Sequence, residues 1–276
     1  MFGPAIAALI QWRLSEHAPW SALGLQPARI RWSFMIATVL VGLCITPLTL
    51  LVMRLFGDGA GMASFGHVEV SGERFAHSIA LLLEEKGIPS APSTSLVREW
   101  PGALIVIALL LSSVVTAFTV NLPFMLGEEL GWRGYLYQAV SNWSPWHRVV
   151  LIGPVWGLWH APLIMMGHNY PGHPLLGIPV MMVFCSLLAI LFDWSRARCQ
   201  SVWGPCVLHG IINGSAGAFM FFAWDGHTLV ASLAGSAGFI ALLFLCIVVL
   251  AFDPGYRRGF FSVPPAAAHS TTNFAA

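Results

Sequence analysis

The sequence has few charged residues. Only 9% of its 276 positions are Asp, Glu, Lys or Arg, while 57% are hydrophobic and the mean hydropathy is +0.75. Soluble domains carry about 25% charged residues, so this composition argues against a soluble domain. It indicates an integral membrane protein built as one bundle, with membrane lipids as its first partners. The formal net charge of +1 gives no electrostatic basis for binding nucleic acid.

Several sequence motifs are also missing. The five cysteines show no CxxC spacing, so neither a disulfide framework nor a zinc ribbon is expected. The first residues lack a basic segment, and a cleaved signal peptide is therefore not expected. GxSxG, HExxH, phosphate-loop and dinucleotide motifs do not occur. The sequence thus gives no support to the common serine-hydrolase, zinc-protease and nucleotide-binding templates.

Long apolar runs account for most of the chain. Spanning a bilayer takes about 20 mostly apolar residues, and six runs approach this length, at 33–55, 103–126, 149–166, 175–192, 202–222 and 236–252. The predicted fold is therefore an all-α, multi-pass transmembrane helical bundle of about six spans. Residues 2–17 are apolar but short, and predict an interfacial helix on or beside the bundle.

Arginine placement predicts the orientation. Arg13, Arg29 and Arg31 precede the first span, and five further arginines, Arg148, Arg196, Arg198, Arg257 and Arg258, fall on the same side. The loops 169–174 and 225–228 have no Lys or Arg, and segment 57–100 has three Lys or Arg against six Asp or Glu. The positive-inside rule then puts both termini in the cytoplasm, in a cell membrane expected to be bacterial.

The chain is divided into three parts on this basis. Residues 1–100 hold the N-terminal helix, the first span and an extracytoplasmic segment; residues 101–255 form the core; residues 256–276 form a tail predicted to be disordered. Within the extracytoplasmic segment, "RFAHSIALLLEEKG" predicts an amphipathic helix that ends at Gly87.

Few ionisable side chains remain inside the predicted spans: Glu128, Glu129, Arg133, His160 and His209. Such residues are functional candidates because their burial in a membrane is costly. Glu129 and Arg133 are four residues apart and can pair on one helix face. Glu128 points about 100° away and is free to face a cavity.

The histidines extend this set. His209 and Asn213 are also four residues apart and project together. His160 and His209 lie at similar depths, roughly 16–18 Å from the cytoplasmic edge. Glu128 ends a long span and counts as nearer that edge. It reaches the histidines only if the span is tilted or its helix turns back inward, and the sequence does not decide between these.

Two hydrolytic sites suit these residues. A carboxylate with a histidine can activate water as a general base, while a histidine and an asparagine amide stabilise an oxyanion. Alternatively, Glu128, His160 and His209 hold a zinc ion with one open position for water. Each residue also has a structural reading: the Glu–Arg pair as a bridge, His160 as a core residue, and His209 with Asn213 as interhelical hydrogen bonding.

The order of the motifs is more specific than any one of them. "EELGWR", "WGLWH" and "HGIIN" follow one another on successive apolar segments. Together with the flanking "RGYLYQ", "HAPL" and "SVWGPC", this resembles the CAAX-processing and bacteriocin-immunity (CPBP/Abi) family of intramembrane proteases. The resemblance covers residues 123–217.

The resemblance implies a helical intramembrane endopeptidase. By analogy Glu128 is the water-activating base assisted by His160, His209 and Asn213 stabilise the oxyanion, and Glu129 and Arg133 support the site. It implies a glutamate-dependent enzyme without a cofactor, with zinc on Glu128, His160 and His209 as the runner-up. The substrate is expected to be a peptide or membrane protein, prenylated in some relatives. The alternatives are a non-catalytic immunity or scaffold protein and a small proton-coupled transporter.

Overall fold

The structure is a computed structural model that describes residues 1–15, 20–88 and 91–262. It is an all-α, multi-pass bundle. Its helices in chain order are α1 (Gly3–Ser15), α2 (Trp32–Arg54), α3 (Gly72–Glu85), α4 (Ala91–Arg98), α5 (Gly102–Phe118), α6 (Leu122–Glu129), α7 (Tyr137–Ala139), α8 (Pro145–Trp159), α9 (Ala161–Met165), α10 (Pro174–Cys199), α11 (Trp203–Ser215), α12 (Ala218–Phe222), α13 (Ser236–Phe252) and α14 (Pro254–Phe260).

Shorter elements connect or extend these helices. Two stretches are π-helical: Leu55–Gly59 continues α2, and Leu130–Leu136, called here the π-turn, continues α6 into α7. Three 3-10 turns lie at Trp20–Leu23, Pro27–Arg29 and Ala63–Phe65. The strands β1 (His67–Val68) and β2 (Ala223–Trp224) pair antiparallel, with His67 opposite Trp224.

The predicted spans are present, two of them as bent pairs of helices. Within the described residues, four stretches are long and apolar enough to cross a membrane alone: Trp32–Gly59, Pro145–Met165, Pro174–Cys199 and Trp203–Phe222. Two more arise if each bent pair counts as one span: Gly102–Phe118 with Leu122–Ala139, at 64°, and Ser236–Phe252 with Pro254–Phe260, at 107°. The count of about six is thus reached when both bent pairs are included.

The second predicted span, 103–126, is wrong as a continuous helix. The chain leaves helical geometry at Thr119, where the N–H of Asn121 donates to the carbonyl of Thr116 at 2.8 Å. Pro123 then lies in the first turn of α6. Because proline has no N–H and fits the start of a helix, the chain begins a new helix there in a new direction.

The N-terminal helix lies beside the bundle, as predicted for residues 2–17, of which 16 and 17 lie outside the described residues. It packs on the segment that carries the two glutamates. A Cβ at Gly131 would lie 2.5 Å from Cβ of Pro4, and one at Gly127 would lie 2.7 Å from the ring of Phe2. These two glycines therefore allow α1 to approach α6 and the π-turn closely.

Helix α10 lies at the centre of the core. Phe192, on α10, is fully buried in one apolar cluster with residues of α2, α8, α11 and α13. Two glycines bring α8 against α10: a Cβ at Gly153 would lie 2.6 Å from Cα of Ser186, and one at Gly157 would lie 2.4 Å from Cα of Met182. This close approach holds the end of α8, and with it His160, against the bundle.

One end of the molecule gathers the poorly basic loops. Pairing of β1 with β2 brings segment 57–100 to the loop after α12, and the rings of His173 and His227 lie 4.7 Å apart. Helix α3 forms where an amphipathic helix is predicted, starting after the N-cap Ser71, and Gly87 follows it with a φ of 68°. The three loops assigned to one side by the sequence therefore do lie on one side.

The opposite end gathers the arginines, and Arg148 and Arg196 are buried there instead of lying in exposed loops. Arg148 and Arg196 lie inside α8 and α10 and are 5% and 7% exposed. Arg148 is buried because it makes a two-point ion pair with Asp193, at 2.6 and 2.9 Å. The burial of a charge is tolerated when it is paired and hydrogen-bonded in this way.

The C-terminal range 256–276 also differs from its prediction as a tail. Residues 254–260 form α14, whose Tyr256 and Phe260 are buried, and the Tyr256 hydroxyl donates to Asp193 at 2.7 Å. Arg198 and Trp194 of α10 bond to Asp253 at the start of α14. Residues 263–276 lie outside the described residues.

Candidate active site

Glu129 is the centre of a buried polar network. Its side chain is fully buried and accepts two bonds from Nη1 of Arg133, at 3.2 and 3.1 Å. It also accepts from Nδ1 of His209 at 2.8 Å. The predicted Glu129–Arg133 pair is therefore present, and the carboxylate has a second function that the sequence did not indicate: it fixes the ring of His209.

Glu128 lies next to this network with a free oxygen. Its side chain is 5% exposed, and its Oε2 has no hydrogen-bond partner. Nε2 of His209 is 3.9 Å from that oxygen. The break before α6 makes this approach possible, because it turns the helix that carries Glu128 toward α11. Of the two geometries left open by the sequence, the structure has the redirected helix.

Aromatic rings surround Arg133. Its guanidinium carbon lies 4.2 Å from the centre of the Trp156 ring and 4.4 Å from that of Phe192. The ring of His209 contacts the same two aromatics edge to face, at 5.6 and 5.7 Å. Cation–π contact compensates part of the cost of burying the guanidinium. The rings also restrict Arg133 and His209 to one arrangement.

His160 lies at the junction of α8 and α9. Its Nδ1 is 2.8 Å from the carbonyl oxygen of Trp156, one turn earlier. Because a carbonyl oxygen only accepts, Nδ1 carries the hydrogen, and Nε2 of the neutral ring is left as an acceptor. His160 is half-buried and lines the same cavity as Glu128.

A cavity of about 850 Å³ joins the predicted residues. Glu128, His160, His209 and Asn213 all line it. The rest of its wall is mainly apolar, including Trp159, Leu163, Met181, Phe184, Leu188 and Leu233. Asn213 is exposed to this space, and its described side-chain bond is a 3.5 Å contact from Nδ2 to the sulfur of Met125. Its amide is therefore available to a ligand.

The side chains that could share a metal ion are not the predicted set. Among the described residues, the group with ligand atoms within 4.8 Å of one another is Glu128, Glu129 and His209. His160 is not part of this group. Both oxygens of Glu129 already accept bonds from Arg133, and one also accepts from His209.

Comparison with known proteins gives a family match for the part of the chain that carries this site. Residues 102–215 match the family model described as type II CAAX prenyl endopeptidase Rce1-like. Residues 102–215 are therefore similar to that family and are called here the Rce1-like core. The Rce1-like core is also similar over 44 residues, at 46% identity, to CAAX prenyl protease 2 of Methanococcus maripaludis. That alignment spans 16% of this chain and 16% of the relative.

The Rce1-like core runs from α5 to the end of α11 and contains all six predicted site residues. Sequence reasoning missed several residues that hold the site. Trp156 lies four residues before His160, and this i,i+4 spacing was the available indication. Phe192 carried no indication, because it is one apolar residue in a long apolar run. Helices α1, α2 and α13 lie outside the matched residues and complete the wall of the bundle.

Proposed function

We propose that the protein is an intramembrane endopeptidase in which Glu128 activates a water molecule. The observation that carries this proposal is the environment of Glu128. Glu128 is buried, has one oxygen without a hydrogen bond, and lies on the wall of a large, mainly apolar cavity. That oxygen is 3.9 Å from Nε2 of His209, whose ring is held in place by Glu129. A carboxylate with these neighbours can act as a general base.

In the proposed reaction, Glu128 removes a proton from water as the water oxygen bonds to the scissile carbonyl carbon. The acceptor Nε2 of His160 orients the same water through its second hydrogen. The carbonyl π electrons move to oxygen and form an oxyanion. Glu128 then returns its proton to the departing amine nitrogen as the carbonyl re-forms and the C–N bond breaks. The products are a carboxylic acid and an amine, and Glu128 is a carboxylate again.

The oxyanion is assigned to His209 and Asn213. Because Nδ1 of His209 donates to Glu129, its Nε2 can donate to an oxyanion only if the ring is doubly protonated. The site then holds two carboxylates, one guanidinium and one imidazolium, and its charges sum to zero. Proton transfer to Glu128 leaves one positive charge, which the new oxyanion neutralises. Stabilising charge where it develops is the largest contribution in many enzymes.

The donor set supports a metal-free mechanism over a zinc-dependent one. Catalytic zinc sites use three protein ligands at about 2.0–2.2 Å. Here Glu129 is engaged by Arg133 and His209, and His160 is outside the group of convergent ligands. Glu128 and Nε2 of His209 alone would be too few. An asparagine amide, in turn, suits an oxyanion better than zinc.

The substrate is proposed to be a membrane-associated peptide, including prenylated ones. The cavity is apolar enough to accept a lipid chain or apolar side chains, and it lies within a bundle whose outer surface is apolar. The names of the matched family and relative, a CAAX prenyl endopeptidase and a CAAX prenyl protease, support the same class.

The test is cleavage by purified protein in lipid vesicles. Farnesylated and unmodified versions of one C-terminal Cys-aliphatic-aliphatic peptide, and one unrelated transmembrane peptide, are followed by mass spectrometry. Wild type is compared with Glu128→Gln and with Glu84→Gln, which removes an exposed carboxylate from α3. Cleavage that persists in Glu84→Gln and falls by about 10²–10⁴-fold in Glu128→Gln would support the proposal.

Two outcomes would count against it. Equal cleavage by wild type and Glu128→Gln would remove Glu128 as the base. Loss of activity in a strong chelator, with recovery on adding zinc, would replace the metal-free mechanism with a zinc-dependent one and leave the protease assignment in place.

A further inference from the structure

Arg196, near the end of α10, is a buried cation that the proposed reaction does not use. Its side chain is 7% exposed, and within the described residues no carboxylate lies at ion-pair distance from it. Its Nε donates instead to the backbone carbonyl of Arg133, at 2.9 Å. Burying a charge without a counter-ion is costly, and the hydrogen bond from Arg196 to the Arg133 carbonyl offsets part of that cost.

The surroundings of Arg196 hold its guanidinium in one place. The group lies 4.8 Å from the centre of the Tyr137 ring. The guanidinium carbon of Arg148 lies 4.6 Å from the same ring centre. On the other side is Gly24, where a Cβ would lie 2.7 Å from Nη2 of Arg196. Gly24 has a φ of 76°, which glycine adopts without strain. A side chain there would push the guanidinium off the π-turn.

The carbonyl that Arg196 binds belongs to an irregular part of the chain. The N–H of Tyr137 bonds to the carbonyls of Trp132 and Gly134, on either side of Arg133. A π-helical stretch is rare and usually a single turn, and its geometry is set by its contacts. Two hydrogen bonds fix Arg133: its backbone carbonyl accepts one from Arg196, and its guanidinium donates the other to Glu129.

We infer that Arg196 is a positioning residue, which fixes the π-turn through the Arg133 carbonyl and so holds the Arg133–Glu129–His209 chain in register with Glu128. Arg196 touches neither the cavity nor the proposed reacting atoms. Its effect reaches the ring of His209 through the side chains of Arg133 and Glu129. This assignment rests on the proposed function for its catalytic consequence, but its structural consequence can be measured independently.

The first measurement is of the His209 ring and does not depend on activity. Protein labelled with ¹⁵N-histidine is placed in nanodiscs, and the His209 signals are identified by their loss in His209→Gln. In Arg196→Met the Arg133 backbone loses its contact with Arg196, and the Arg133 guanidinium then no longer fixes the position of Glu129. The Nδ1–H of His209 is therefore expected to lose its hydrogen-bonded signal. Arg198→Met is the matched control, since Arg198 lies on the same turn but bonds to Asp253. Its His209 signal should match that of wild type.

The second measurement is cleavage. Misplacing a catalytic group by about 1 Å costs about 10²-fold, so Arg196→Met is expected to lower kcat by about that factor with little change in KM. Arg196→Lys keeps a charged donor and should recover part of the loss. Arg198→Met should keep wild-type kcat even if it unfolds at a lower temperature.

The outcomes separate the two proposals. An unchanged His209 signal in folded Arg196→Met overturns the positioning role, whatever the activity. If Arg196→Met does not fold, Gly24→Ala, whose Cβ displaces the guanidinium of Arg196, replaces it, and an unchanged His209 signal with wild-type kcat in that variant overturns the role instead. A changed His209 signal in a protein that cleaves none of the peptides upholds the positioning role and rejects the proposed function.

Discussion

Glu128 and Glu129 are neighbours in sequence with opposite environments. Glu129 is fully buried and accepts from two partners, whereas Glu128 faces the cavity with an unbonded oxygen. The helix produces this difference, since successive side chains point about 100° apart. One carboxylate is thereby committed to structure and the other is left available for chemistry.

Substitution of the two glutamates should therefore have different effects on stability. Glu129→Gln leaves the buried guanidinium of Arg133 without a counter-ion, and breaking a buried pair costs about 3–5 kcal/mol. We expect its thermal unfolding in detergent at a clearly lower temperature than wild type. Glu128→Gln removes a charge whose Oε2 makes no hydrogen bond and lies 3.9 Å from Nε2 of His209, so this variant should unfold near wild type. Equal unfolding temperatures for the two variants would contradict this assignment.

Asn213 should matter for turnover and not for folding. It faces the cavity, and its described side-chain partner is a weak sulfur acceptor. Removing one oxyanion donor costs about 10²–10³ in kcat, so Asn213→Ala is expected to lose activity on that scale and keep its unfolding temperature. Asn142→Ala, at an exposed asparagine in the turn before α8, serves as the control. Full activity in Asn213→Ala would remove it from the oxyanion site.

The sequence predicted contacts between residues on one helix better than contacts between residues on different helices. The Glu129–Arg133 pair follows from i,i+4 spacing on continuous helical backbone. The Glu129–His209 bond does not, because it joins α6 to α11 and depends on the direction of a helix after a break. Arg196 was assigned to a loop on the cytoplasmic side for the same reason: nothing local shows that its partner is a backbone carbonyl in another segment.

At the scale of elements, the break between α5 and α6 brings the glutamates to the histidines. Pro123 and the polar residues around it were visible in the sequence, but the apolar run continued through them and favoured a longer helix. The 64° bend then depends on what the redirected helix packs against. Part of that surface is α1, which rests on Gly127 and Gly131.

Contact between α1 and the π-turn gives a testable difference between glycines. A Cβ at Gly131 would lie 2.7 Å from backbone atoms of Pro4, which cannot move without moving α1. Overpacking of this kind costs about 1–3 kcal/mol, and Gly131→Ala is expected to lower the unfolding temperature and the activity. A Cβ at Gly259, in α14, would meet nothing within 4 Å. Gly259→Ala is therefore expected to be neutral or stabilising, by about 0.5–1 kcal/mol. Similar destabilisation of both variants would show that the α1 contact is unimportant.

At the scale of the whole molecule, sequence and structure agree on which loops share an end. The β1–β2 pair and the His173–His227 contact collect segment 57–100 and the two loops without Lys or Arg, and the opposite end holds Arg148, Arg196 and Arg198. Hydropathy was sufficient to predict where the candidate spans lie because each is built from long apolar helical segments. It did not predict the breaks inside them or the short α14, which depend on side-chain partners such as Asp193 and Asp253.

The direction in the membrane remains a prediction from the positive-inside rule. In a background without the native cysteines, Glu84→Cys probes α3 and Ser262→Cys probes the end beyond α14, and both positions are exposed. An impermeant thiol reagent applied to intact cells should modify only the cysteine at position 84. Modification of position 262 alone would reverse the orientation, and equal modification of both would show that the two ends do not lie on opposite sides.

The β1–β2 pair has a consequence for assembly of the protein. It joins residues 67–68 to residues 223–224, so it closes a loop that contains α3 to α12. Closing a long loop costs entropy that only completed non-local contacts repay. The two strands therefore cannot pair until the helices between them have been synthesised and inserted. During folding, the backbone amides of this ladder are therefore expected to become protected from hydrogen exchange later than those of the helices that carry the candidate site.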